Sequence, residues 1–281
     1  MAVSTGPLLV LAVVSINLAA GPTGPQVVAP AYVSEVSGKP LRINYAQKLK
    51  PDDVDAAIRS WGEFPATFQA IREEYPADYQ RMLEFAAYDI HDGRSGTTEE
   101  ILERSQAATR MGKLRSLGAA RAPALAELAR AYAKLLRDLK ADNVEACASL
   151  GSYGSPPPDS AGRSRTVKAD LDAIGNLEVR SAKAAAAGGA VRRGTLTAAE
   201  QAAWSKAMDA HFAKASELWA GPAFDSASTA EQCDATVALF AGAADLPEAT
   251  SANVMAQILR LDTDGMPATL SSLRENQPGP A

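Results

Sequence analysis

The chain has 281 residues and a net charge of −5, from 28 basic and 33 acidic side chains; this is room for one large domain or two modest ones, and too acidic for general nucleic-acid binding, which needs a basic surface to neutralise phosphate. Hydrophobic residues make up 47% and aromatic ones 6%, with much of the rest alanine. Such a composition favours closely packed helices over strands rich in Val, Ile and Tyr, so the expected fold is all-α: an irregular helical bundle of about ten helices behind an apolar N-terminal segment and a Pro/Gly-rich tether.

The chain opens on "GPLLVLAVVSINLAAGPTGP". As a helix, the fourteen residues from Pro7 to Ala20 span about 21 Å, short of a hydrocarbon core of roughly 30 Å. Residues 1–20 therefore read as a secretory signal or an anchor, with Ala29–Ala31 ("APA") a small-x-small cleavage site. The first positive charge is Lys39, so the basic n-region of a signal is missing, which a start placed too far downstream would explain. The rival reading is a cytoplasmic protein with an apolar N-terminal helix. Residues 21–49 are a linker: Pro22, Pro25, Pro30, Gly38 and Pro40 forbid a long helix there, and Val33, Val36, Leu41, Ile43 and Tyr45 form extended chain or a short hairpin.

From residue 50 the punctuation is helical. Pro51, Pro65 and Pro76 each suit a first helical position, and Asp52 and Asp53 favour a helix N-terminus. Tyr79, Met82, Leu83, Ala86 and Ile90 recur at three-and-four spacing before Gly93, and "TTEE" at Thr97–Glu100 is a capping box. Five basic residues (Arg104, Arg110, Lys113, Arg115, Arg121) follow without an acid, and read as a solvated helix face balanced by acids on neighbouring helices. The cleanest apolar stripe is Leu125, Leu128, Ala129, Tyr132, Leu135, Leu136 and Leu139, and a short helix follows it to Gly151. The first half of the bundle thus covers 50–150, and the Pro/Gly/Ser loop 151–163, with three consecutive prolines, divides it from a second half at 164–265. That half holds a helix from Ser164 to Ala187, one from Thr197 to Gly221 capped by Glu200, and two shorter ones, "STAEQCDATVALFAGAADL" and "PEATSANVMAQILRL", before a flexible tail at 266–281.

The run "FPATFQAIREEYPADYQRML", followed after one long helix by "DNVEAC", resembles helical proteins of Gram-negative envelopes that carry an N-terminal anchor and have no assigned role. The resemblance covers about residues 60 to 150 and implies an α-helical envelope protein; the missing basic n-region departs from that pattern.

Candidate chemistry is sparse. Asp89, His91 and Asp92 offer nitrogen and oxygen ligands at a helix end, though at spacings that do not share one face; a helix-terminal histidine bonding the last carbonyls is the simpler reading. His211 falls on a face with Trp204, Met208, Ala215 and Leu218 and reads as a buried histidine in a core stripe. Asp262, Asp264 and Gly265 imitate a calcium loop, but the glycine is early and the twelfth position is Leu273. Adjacent acids such as Glu73 and Glu74 diverge by about 100° on a helix. Arg192–Arg193 lies in an exposed interhelix loop open to proteases. With no phosphate loop, nucleophile elbow or haem motif, no cofactor or metal is expected.

Cys147, on a face with Val144 and Ala148, and Cys233, with Val237, Phe240 and Ala244, both point inward; in an exported protein they are expected to pair, in a reducing cytosol to remain small core residues. The function expected is a structural or protein-interaction role in the periplasm or anchored to the inner membrane, with a protein of the cell envelope as partner and membrane contact only through the N-terminal segment. The alternative is a helical enzyme, with Asp89, His91, Asp92 and His211 as first suspects, or a carrier of a small apolar ligand.

Overall fold

The computed structural model describes residues 49–92, 101–102, 105–106, 109–110, 113–153, 164–220 and 223–264. The N-terminal segment, most of the linker, the capping box at Thr97, residues 154–163 with their three prolines, and the tail lie outside the described residues. Among those described, the fold is all-α with no strand, and no helix is long and apolar enough to cross a membrane.

In chain order the helices are α1 (Pro51–Trp61), α2 (Pro65–Glu74), α3 (Pro76–Asp92), α4 (Leu114–Leu117), α5 (Ala122–Asp142), α6 (Val144–Tyr153), α7 (Arg165–Ala184, continued by a π turn at Ala185–Gly189), α8 (Ala198–His211), α9 (Ala215–Ala220), α10 (Ala223–Ser226), α11 (Thr229–Ala244) and α12 (Glu248–Asp264). The starts follow expected chemistry. Pro51 and Pro65 open α1 and α2, and reciprocal capping boxes start α8 (Thr197 with Glu200) and α11 (Ser228 with Glu231). The stripes read from α3 and α5 are buried at every named position.

Two apolar clusters result. One gathers α1, α2, α3, Ile101 and Leu102 around Trp61, Phe68 and Ile71. The other runs from Leu117 to Leu259 and has α11 near its centre, buried on nearly all sides. Their boundary in the chain falls between Leu102 and Leu117, ahead of residues 151–163, the first three of which belong to α6. Helix α7 serves both: Val167, Ile174 and Ala182 belong to the larger cluster, Val179 to the smaller, and Leu171 packs against each.

Three expectations are corrected. A single helix from Thr197 to Gly221 does not form; it breaks after His211, where Phe212 is extended (φ −147°) and Lys214 is left-handed (φ 74°). Asp209 stabilises the break by accepting from the Ser216 amide (2.9 Å) and hydroxyl (2.8 Å), which turns α9 so that Trp219 is buried and donates to the Ala235 carbonyl (2.8 Å). His211 consequently leaves the core stripe and lies exposed at a helix end. Val144, expected to face inward beside Cys147, is 36% exposed on the first turn of α6.

Cys147 and Cys233 are both fully buried, with their sulfurs at disulfide-bonding distance, 2.08 Å. They join α6 to α11 across 86 residues of sequence.

Helix α2 reaches α7 more closely than side chains normally permit. A Cβ on Gly175 would stand 2.3 Å from Thr67 Oγ1, and Thr67 is fully buried and cannot swing away. Replacing Gly175 with Ala should therefore lower unfolding free energy by about 2–3 kcal/mol through overpacking, and Thr67→Ala in that background should recover part of the loss. Denaturant titration of the parent and the two variants measures both.

Candidate functional site

The most buried charge among the described residues lies between the two clusters. Glu178 is 3% exposed although α7 carries it on the stripe of Leu171, Ile174 and Ala182. A carboxylate taken from water into such a place requires partners. It has two: Arg110 Nε donates to Oε2 at 2.8 Å, and the Tyr132 hydroxyl donates to Oε1 at 2.5 Å. Arg110 Nη1 also reaches Gln106 Oε1 at 3.5 Å, and the Tyr132 ring stacks on Phe240 with centroids 4.9 Å apart. Burial by itself pulls the Arg110 pKa down; the charges of Glu178, Tyr132 and Asp172 more than offset this and hold it above its ordinary value. One ion pair, one phenol and one amide thus tie Gln106 and Arg110 to α5 and α7.

A second network binds α1, α2 and α3. The Tyr79 hydroxyl donates to Asp55 Oδ1 (2.6 Å) and accepts from Arg72 Nη2 (3.2 Å), while Arg59 pairs with Asp55 (2.8 Å). Burial, followed by the hydrogen bond to Asp55, pushes the Tyr79 phenol up to about 12, against the lowering by Arg72.

The residues singled out in the sequence do not converge. Asp89 is half-buried on α3, with His91 and Asp92 in the last turn of that helix; His211 is on α8, which packs in the other cluster. No group of three metal-ligating side chains comes together among the described residues. His211 Nε2 stands 2.7 Å from Asp245 Oδ2, a surface pair with Asp245 62% exposed, which ties the end of α8 to the end of α11. Glu73 and Glu74 hold Arg180 at 2.7 and 2.9 Å. Asp262 and Asp264 lie in the last turn of α12. In the basic run, Arg110 and Lys113 are balanced by acids on other helices, Glu178 and Asp78. Arg110, however, is only 15% exposed and is not part of a solvated face.

Sequence reasoning missed Glu178. Its signal was a lone acid on an apolar stripe at four-residue spacing from Ile174 and Ala182. A structural role for this cluster makes a sharp prediction. Glu178→Ala strands Arg110 and should cost about 3–5 kcal/mol, whereas a joint Glu178→Leu and Arg110→Met replacement should cost far less, since removing both charges leaves neither unpaired. Thermal unfolding of both variants distinguishes the two cases. No protein family, no curated protein and no solved structure matches the chain in comparison.

Proposed function

We propose that the chain is a structural or protein-interaction component of the cell envelope, exported or anchored through its apolar N-terminal segment. The observation that carries the proposal is the cysteine pair. Cys147 on α6 and Cys233 on α11 are both fully buried and face one another, and a pair so placed forms a disulfide that persists in an oxidising compartment. Closing a loop of 86 residues stabilises the fold by about 4–5 kcal/mol in the chain-entropy model, a contribution a reducing cytosol would remove.

The polar groups best suited to chemistry also have structural partners. Glu178 holds Arg110 and Tyr132, Glu73 and Glu74 hold Arg180, and Asp245 holds His211. His211, one of the four suspects for an enzyme site, is thereby tied to Asp245, which favours an interaction role. So does the outer face of α3, where Phe85 (69% exposed) and Tyr88 (58%), three residues apart, offer aromatic area to a partner.

A periplasmic reporter fused after the linker should be active, and thiol titration of denatured, unreduced protein from the envelope should find no free thiol. An inactive fusion, or two free thiols, would overturn the proposal.

A further inference from the structure

We propose that the Arg192–Arg193 peptide bond is a processing site for an endoprotease with acidic subsites on both sides of the scissile bond, and that the product is a two-chain protein held by the Cys147–Cys233 disulfide. Adjacent basic residues occur once in the chain, at this pair. The fold places them on the non-helical segment 190–196 between the π turn and α8. Proteases take up backbone in extended form, and a bond within a helix must first unwind. Here the backbone is already irregular, and Ala190 is extended (φ −65°, ψ 128°).

The segment is a pinned strap. The Val191 amide donates to the Ala119 carbonyl (2.8 Å) and Arg193 Nη1 to the Gly118 carbonyl (3.4 Å), both in the turn after α4. Between these anchors Arg192 is exposed; beyond them Gly194 and Thr195 are exposed, with open space where a Gly194 side chain would be, before Leu196 enters the larger apolar cluster and pins the far end. Upstream, Gly188 holds φ 101°, a conformation in which few other residues are at ease, and gives the strap a bend from which to lift. An acidic pocket can therefore take Arg192 directly, and seating Arg193 on the far side requires it to leave its present contacts, the bond to Gly118 among them.

Water hydrolyses the bond. The C–N linkage breaks, Arg192 keeps the carboxylate and Arg193 becomes an α-ammonium terminus, with no oxidant or reductant involved. Cys147 precedes the cut and Cys233 follows it, so fragments 1–192 and 193–281 remain covalently joined. They also stay packed together, because α5 and α11 contribute to one apolar cluster from opposite sides of the cut. The disulfide alone is required for this outcome; the compartment proposed above is not.

The test treats the folded full chain with a purified endoprotease that cuts between paired basic residues. The expected result is one cut, with Arg193 as the new N-terminus by mass spectrometry, a single band without reductant and two with it, and unchanged helical circular dichroism. Arg192→Gln removes one charge-assisted contact to the protease and should slow the cut by about tenfold or more. The proposal is overturned if the folded chain resists under conditions that cut it once reduced and unfolded. A first cut at another bond, equal cleavage of Arg192→Gln, or fragments that part without reductant would overturn it equally.

Discussion

One carboxylate organises the junction on which the α1–α3 layer depends. Asp172, in the second turn of α7, accepts from the backbone amides of Ala66 (3.1 Å) and Thr67 (2.7 Å), the N-terminal amides that α2 cannot satisfy within itself. The residue at the N-cap of α2 is Phe64, which has no capping oxygen. Thr67 Oγ1 returns a bond to the Asp172 carbonyl (3.0 Å), and the missing side chain at Gly175 allows the helices to come that close. Helix α2 is thus capped by a different helix, 105 residues away in sequence.

The remaining contacts fall into register around that cap. Lys168 meets Glu63 at 3.3 Å, Arg180 meets Glu73 and Glu74, and Lys183 donates to the Glu74 carbonyl at 2.7 Å, so residue numbers rise together and α2 and α7 run parallel. Exposed members of such a ladder contribute little each; their value is to fix direction and register while Leu171 and Val179 supply apolar contact. The strain at Phe64, left-handed at φ 53° and costing about 1–3 kcal/mol, belongs to the same junction. It lets α2 start with only three residues between it and α1 while Phe64 stays buried beside Trp61.

This arrangement explains what was legible in the sequence. Helix starts were readable because prolines and capping boxes act locally, and the stripes of α3 and α5 because burial follows a helical period. The burial of Cys147 and Cys233 was readable from helical faces, although Val144 on the first of them is exposed, while their pairing depended on a compartment the residues do not state. What escaped was non-local. Nothing near Lys214 announces a left-handed residue, since the break depends on Asp209 reaching Ser216 and on Trp219 reaching the Ala235 carbonyl. Asp172 and Glu178 went unremarked, because their partners are far along the chain. Of the candidate site, the four suspects proved to be spread over two helices, and the buried polar cluster came from residues that carried no motif.

The central claim is that α7 holds the α1–α3 layer onto the body of the protein through the Asp172 cap. Native-state hydrogen exchange of Asp172→Ala tests it most directly. The account predicts a selective loss of protection for amides of α1, α2 and α3, while those of α5 and α11, in the disulfide-bonded body, exchange as in the parent. Uniform loss across all helices, or unchanged protection in α2, would contradict it.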